Sequence, residues 1–188
     1  MERCEWAGSN ENMQEYHDTV WGVPEYDDQR LFRKLVLDMN QAGLSWQTIL
    51  NKMENFDQAY EQFVLEKVAA FDEAKVESLM QDAGIIRNRR KIEAAINNAQ
   101  KVLEMQASGL SFSDYLWSFV DHQVIDGKRI SMADVPAKTE LSDVIAKDLK
   151  KRGFKFVGST TIYAFLQAVG IVNDHKTDCF RYEELSKK

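Results

Sequence analysis

Proline is almost absent from this sequence, occurring only at Pro24 and Pro136, and glycine is sparse. Leu, Ala, Glu, Lys, Gln and Met are plentiful instead, so local propensity favours helix nearly throughout and the expected fold class is all-α. Also missing are internal repeats, low-complexity tracts and any apolar run long enough to span a membrane. The opening residues, MERCEW, have neither the hydrophobic stretch nor the cleavage site of a signal peptide, so a cytoplasmic protein is expected. An excess of positive charge is lacking too. The formal charge of −6 argues against a protein coated in nucleic acid, while leaving room for a local basic patch. There are only two cysteines, Cys4 and Cys179, at opposite ends of the chain. A disulfide between them would be a single long-range bridge, and in a reducing compartment a metal explains them better.

What is present is organised around residues 81–99, QDAGIIRNRRKIEAAINNA. Val76, Leu79 and Met80 before this stretch, and Ile92, Ala95, Ile96, Ala99 and Leu103 after it, recur at helical spacing and mark two amphipathic helices. Gly84 is expected to stop the first in the left-handed conformation. Ile86 anchors the turn with Ile85, and four of the five residues Arg87 to Lys91 (Arg87, Arg89, Arg90, Lys91) are cationic. A helix N-terminus offers unpaired amides and a positive dipole end, so a tight basic hairpin there suits a phosphate. The alternative is an ordinary helical hairpin with a solvated turn. A second basic run, Lys147 to Lys155, has five cations against one anion.

Residues 1–26 show no clear helical period, yet they carry Trp6, Tyr16, Trp21 and Tyr26. These rings either pin a loose arm onto the core or line a pocket for a flat ligand. A helix is expected from Asp27 to Met39, capped by Asp27 or Asp28, with Asp38 in its last turn, where the helix dipole disfavours a carboxylate. Ser45 caps the next helix, starting at Trp46. Further helices are expected over 56–63, 66–80, from the basic turn to about Ser108, from Ser111 or Ser113 through Phe119, from Thr139 to Gly153, and from Ser159 or Thr160 to Val169, with a polar loop over 121–136.

His175 and Cys179 are four residues apart and share a face if that turn is helical. With Cys4 and His17 they make a two-Cys, two-His set, which would close a tetrahedral zinc site without an open position and would therefore be structural. Unpaired reduced cysteines and surface histidines are the alternative. A metal-dependent hydrolase would need an open coordination position.

Six segments, taken in order, resemble the bacterial 3-methyladenine DNA glycosylase I family of the helix-hairpin-helix superfamily over essentially the whole chain. They are Met1 to Cys4 with Trp6; Tyr16, His17 and Asp18 followed by Trp21 to Pro24; Gln41 to Trp46; Asp82 to Arg87; Lys151 to Phe156; and Val172 to His175 with Cys179. The resemblance implies hydrolysis of the N-glycosidic bond of 3-methyladenine in alkylated duplex DNA after base flipping, by a monofunctional enzyme with water as nucleophile and no lysine Schiff base. It implies a structural zinc on Cys4, His17, His175 and Cys179, and no obligate protein partner. It also implies Asp38, Tyr16 and Trp46 as catalytic or base-contacting residues, Trp6 and Trp21 as pocket walls, and Leu44 on the Gly43 turn as the wedge filling the gap in the duplex. DNA contacts fall to Gly43, Leu44, Gly84, Ile86, Arg87, Arg89, Arg90 and Lys91. The implied organisation is one glycosylase unit with a helix-hairpin-helix lobe (about 45–120) and a terminal zinc-containing lobe (about 1–44 and 137–188). Two departures stand out: Asp38 where the family usually has Glu, and Asn10 to Met13 where it has Asp-Pro followed by apolar and aromatic residues. The first motivates an alternative, a zinc-stabilised DNA-binding module of the same fold with weak or altered excision.

Overall fold

The computed structural model describes residues 1–187, and its centre is helix α2, Asp28–Gln41. Asp27 caps it by accepting from the Arg30 amide at 2.9 Å. From Leu31 to Asn40 every residue but Arg33 is buried, because α2 meets α3 (Trp46–Asn51), α7 (Arg89–Ala107), α8 (Phe112–Ser118) and α10 (Ser159–Ala168). A helix apolar on most of its circumference is one that neighbours cover on most sides. Its first residue, Asp28, accepts from the backbone amides of Phe112 and Ser113 at 3.0 and 2.8 Å, so one carboxylate fixes the start of α8 against α2.

Between α3 and α7 run three short helices, α4 (Met53–Ala59), α5 (Leu65–Ala69) and α6 (Glu73–Met80). The continuous 66–80 helix expected from the sequence is thus two, because Asp72 is an N-cap accepting from the Lys75 amide and restarts the chain. Tyr60 and Phe63 stack with centroids 5.3 Å apart beneath this layer. On the other side α9 (Glu140–Lys151) packs on α10, with Phe112 stacked near Phe154 and Phe165. Thr139 and Gly153 bound α9 as the sequence indicates.

The termini differ more from expectation. Residues 11–19 form a regular helix, α1 (Glu11–Thr19), where an irregular arm was expected; Asn10 caps it through the Met13 amide. The segment holding His175 and Cys179 is not helical. It is a turn following β2 (Val172–Asn173), which pairs in parallel with β1 (Ile125–Asp126), and helix α11 (Phe180–Ser186) starts only after Cys179. Gly170 (φ +77°) lets this tail pass the 22–24 backbone, since a Cβ there would lie 2.5 to 2.7 Å from its atoms.

Gly84 does not take the left-handed conformation expected of it, and α6 has ended four residues earlier. What demands glycine is proximity: a Cβ would stand 3.0 Å from Asp82 Oδ1 and 3.1 Å from Asn55 Cγ. Asp82 accepts from the Gly84 amide at 2.8 Å and tightens the turn.

Candidate active site and metal centre

Trp6, Tyr16, Trp21, Asp38 and Trp46 line one cavity of about 300 Å³ between α1, α2, α3 and α10. Trp6 packs edge-on to Trp21 at 5.1 Å and to Tyr16 at 6.3 Å, and Tyr16 is tilted against Trp46 at 5.1 Å. The remaining wall includes Met13, Gln41, Met132, Val135 and Gln167, none of which the sequence singled out for this purpose. Met13 answers the departure at 10–13 by supplying an apolar wall from α1.

Two buried polar atoms in this wall have no hydrogen-bond partner: Asp38 Oδ2 and Trp46 Nε1. A buried acceptor and a buried donor left unpaired are costly unless a ligand completes them. Asp38 is 5% exposed. Burial pushes its carboxyl up to about 7, against a smaller opposing pull from Lys34 one turn earlier. A cationic partner that also donates a hydrogen bond would favour the ionised form.

Beside the cavity, residues 41–44 form a turn closed twice, by Leu44 N–H on Gln41 O at 2.7 Å and by Gln41 Nε2 on Leu44 O at 3.1 Å. Gly43 sits at φ +81° with open space where a Cβ would be, and Leu44 remains 40% exposed. The turn thus presents one apolar side chain to solvent.

The basic hairpin needs revision. Arg87 and Arg90 are exposed, as a phosphate contact requires, and Ile86 is partly buried against the core. Arg89 is engaged by Glu73, Glu77 and Glu93, so its charge is already neutralised. Lys91 is not on the surface at all. It is buried, and its ammonium donates to Asn40 O at 2.8 Å and Ala42 O at 2.9 Å. An α-helix leaves its last carbonyls unpaired, and a cation at that end is favourable, so Lys91 serves α2 and not a phosphate in this arrangement.

Cys4, His17, His175 and Cys179 are all buried, with their ligating atoms within 4.8 Å of one another. Cys179 Sγ lies 3.5 Å from His17 Nε2 and 3.6 Å from His175 Nδ1, and Cys4 Sγ lies 3.6 Å from His175 Nδ1. A tetrahedral zinc with Zn–S of about 2.3 Å and Zn–N of about 2.0 to 2.1 Å has S···N edges of about 3.6 Å, so the four atoms fit that ion. Each imidazole is oriented through its other nitrogen: His17 Nδ1 by Asp18 at 2.8 Å and His175 Nε2 by Trp21 O at 3.0 Å. Arg3 forks onto Asp18 in turn. This cluster also backs the cavity, since Trp21 packs on His175 at 4.6 Å and Trp6 on His17 at 5.2 Å.

The fold and cavity define a helical protein with an aromatic-lined pocket beside a turn that exposes one leucine. Residues 6–182 match the family model for methyladenine glycosylase. DNA-3-methyladenine glycosylase 1 of Escherichia coli is 50% identical over 97% of both chains. A crystal structure of a 3-methyladenine DNA glycosylase I superposes with a TM-score of 0.93 at 49% identity, covering 95% of this chain and 98% of that one. The Staphylococcus aureus enzyme, whose structure describes 3-methyladenine recognition, gives 0.91 at 39% identity over 96% of each chain. The chain belongs to the methyladenine glycosylase family.

Proposed function

We infer that this chain is a DNA glycosylase of base-excision repair that excises 3-methyladenine from alkylated DNA. Membership in the family over nearly the whole length supports this, and one observation carries it to the site: an anionic acceptor, Asp38, and an indole donor, Trp46, stand unpaired in an aromatic cavity sized for a purine. In the proposed complex the base is flipped out of the duplex and inserted among Trp6, Tyr16, Trp21 and Trp46. Asp38 accepts from its exocyclic amine and favours its positive charge.

Alkylation at the 3 position makes the base a cation and thus a good leaving group. The pocket therefore has mainly to recognise and orient, with water as nucleophile, and no amine is required to form a covalent intermediate. Leu44 enters the gap left in duplex DNA, and the unstacking energy of a few kcal/mol is offset by this wedge and by the aromatic pocket. The turn before α7, a helix-hairpin-helix element in this reading, binds backbone phosphate through its amides with Arg87 and Arg90. Zinc on Cys4, His17, His175 and Cys179 would supply a structural crosslink between the termini, and the hydrogen-bonded imidazoles then fix Trp21 and Trp6 as pocket walls. Among the described residues no helix is long and apolar enough to cross a membrane, and the cytoplasm is the proposed compartment. The alternative, a zinc-stabilised DNA-binding module of the same fold with weak or altered excision, is not favoured.

Chromatography of bases released from methylated DNA tests the reading. Free 3-methyladenine should appear in proportion to enzyme, and DNA that is bound but releases no base would refute it.

A further inference from the structure

Lys34 is a buried cation to which the reading above gives no task. It lies on α2, one turn before Asp38 and on the same face, and is 6% exposed. Its ammonium donates to the Tyr16 hydroxyl at 2.5 Å and lies 4.6 Å from the Tyr16 ring centroid and 4.7 Å from that of Trp46. The two rings that flank the cavity beside Asp38 are therefore both backed by one ammonium. Burying an amine is unfavourable unless it is compensated, and here, among the described residues, the compensation comes from a phenol oxygen, two ring systems and the Asp38 charge.

We propose that Lys34 is a positioning residue of the base pocket: its ammonium fixes Tyr16 and Trp46 from behind and, one helical turn from Asp38 on the same face, supplies a counter-charge that favours the carboxylate. Because Lys34 donates to the tyrosine oxygen, the phenolic proton is left to be directed at something else, and Tyr16 lines the cavity. Tyr16 thereby becomes an oriented donor toward an acceptor on the base, complementing Asp38, which accepts. A donor backed by a cation is a stronger one, and electron density grows on the ring as the glycosidic bond breaks.

The other charged groups around the pair leave Lys34 as the counter-charge. Arg33, on α2 itself, is bound to Asp57 at 2.7 Å. From α1 the facing group is Tyr16; from α3 it is the uncharged Trp46; from α10 the cavity receives Ala164, Gln167 and Ala168, none charged. Lys91 of α7 is committed to the carbonyls of Asn40 and Ala42, and α8 meets α2 at Asp28, at the opposite end of the helix. Burial pulls the Lys34 amine down to about 8, while Asp38 holds it up. The two charges thus support one another near neutral pH.

The proposal rests on the glycosylase reading but is tested separately from it. Two variants divide the tasks: Lys34→Met removes the charge and the donor, and Lys34→Gln removes the charge and keeps a donor. In single-turnover excision of 3-methyladenine, both should move the acid limb of the rate profile up by on the order of one pH unit, as loss of a nearby opposite charge does. Tyr16→Phe should slow the unaltered protein, slow the Lys34→Gln protein comparably, and have a much smaller effect after Lys34→Met. An unmoved acid limb together with fully additive Tyr16 and Lys34 effects overturns the proposal. A readout independent of catalysis is the 13C shift of the Asp38 carboxyl, which should titrate at higher pH in Lys34→Gln than in the unaltered protein. If it titrates identically the counter-charge role is refuted, whatever the excision assay shows. Should Lys34→Met fail to fold, Lys34→Gln and the carboxyl titration still decide. A protein that releases no 3-methyladenine but shows the carboxyl shift would sink the function and leave the Lys34 role standing.

Discussion

Replacing Asp38 by Asn should lower excision and raise stability at once, and the opposite signs make the experiment decisive. Asp38 Oδ2 is buried without a partner, so in the proposed complex its hydrogen bond would be made with the base. A hydrogen bond to a charged group contributes about 1.5 to 3 kcal/mol, which corresponds to a loss of roughly one to two powers of ten in single-turnover rate at pH 8. Stability follows from linkage. The folded carboxyl titrates near 7 against an ordinary value of 3.8, because burial disfavours the anion. Between those values the folded protein keeps a proton that the unfolded chain has released, so stability falls as pH rises through the window. Asn has no proton to lose. The variant should gain on the parent between pH 5 and pH 8 by on the order of 1 to 2 kcal/mol, the gain being limited because Lys34 loses its counter-charge. Urea unfolding at the two pH values measures this. Equal rates for Asp and Asn would refute the role of Asp38 in reading the base, and a stability difference independent of pH would refute the buried anion.

Three further outcomes are expected. Cys179→Ser or Cys4→Ser should lose about one zinc per chain by elemental analysis and several kcal/mol of stability, as the loss of a ligand from a structural site does; a parent protein that is fully folded and metal-free would contradict the centre. Arg90→Glu and Arg87→Glu should weaken binding to all DNA sequences alike and reduce the salt slope by about one or more, whereas Lys91→Met should destabilise the fold through the end of α2 and leave the salt slope unchanged. Leu44→Ala should slow excision from duplex DNA much more than from a single strand carrying the same lesion, and equal slowing on both would remove the wedge.

Much of the helical framework is legible in the sequence. The caps Asp27, Ser45, Ser111 and Thr139 stand where the sequence puts them, because a side-chain oxygen ahead of an amphipathic run is a local signal. Aromatic density singles out Trp6, Tyr16 and Trp21, and the helix dipole singles out Asp38, but their gathering with Trp46 around one cavity is implied only by family resemblance, since nothing in their spacing reveals it. Helix α1 was missed because much of its outer face is polar and the aromatics of the surrounding segment do not recur at a helical period. The role of Gly84 was misread because crowding against Asn55 is a long-range fact that a local C-terminal signal cannot reveal. Lys91 was misread for the same reason: within a basic run a lysine that turns inward looks like its neighbours, and only the α2 carbonyls it reaches distinguish it.

That inward lysine changes how the parts of the site are connected. Residues 38 to 46 hold Asp38, the Gly43 turn and the start of the helix carrying Trp46, and the end of α2 on which they depend has its last carbonyls bound from outside by Lys91. Lys91 belongs to the first turn of α7, next to Arg90 and directly after the turn assigned to phosphate. An ion pair on the surface would tolerate a shift of an ångström with little loss, but a buried ammonium with two carbonyl partners would not. Lys91 therefore ties the first turn of α7 to the end of α2 and the Gly43 turn through a short link. The acidic net charge of the chain is compatible with the proposed DNA contact, because the exposed Arg87 and Arg90 beside this link are a local basic feature.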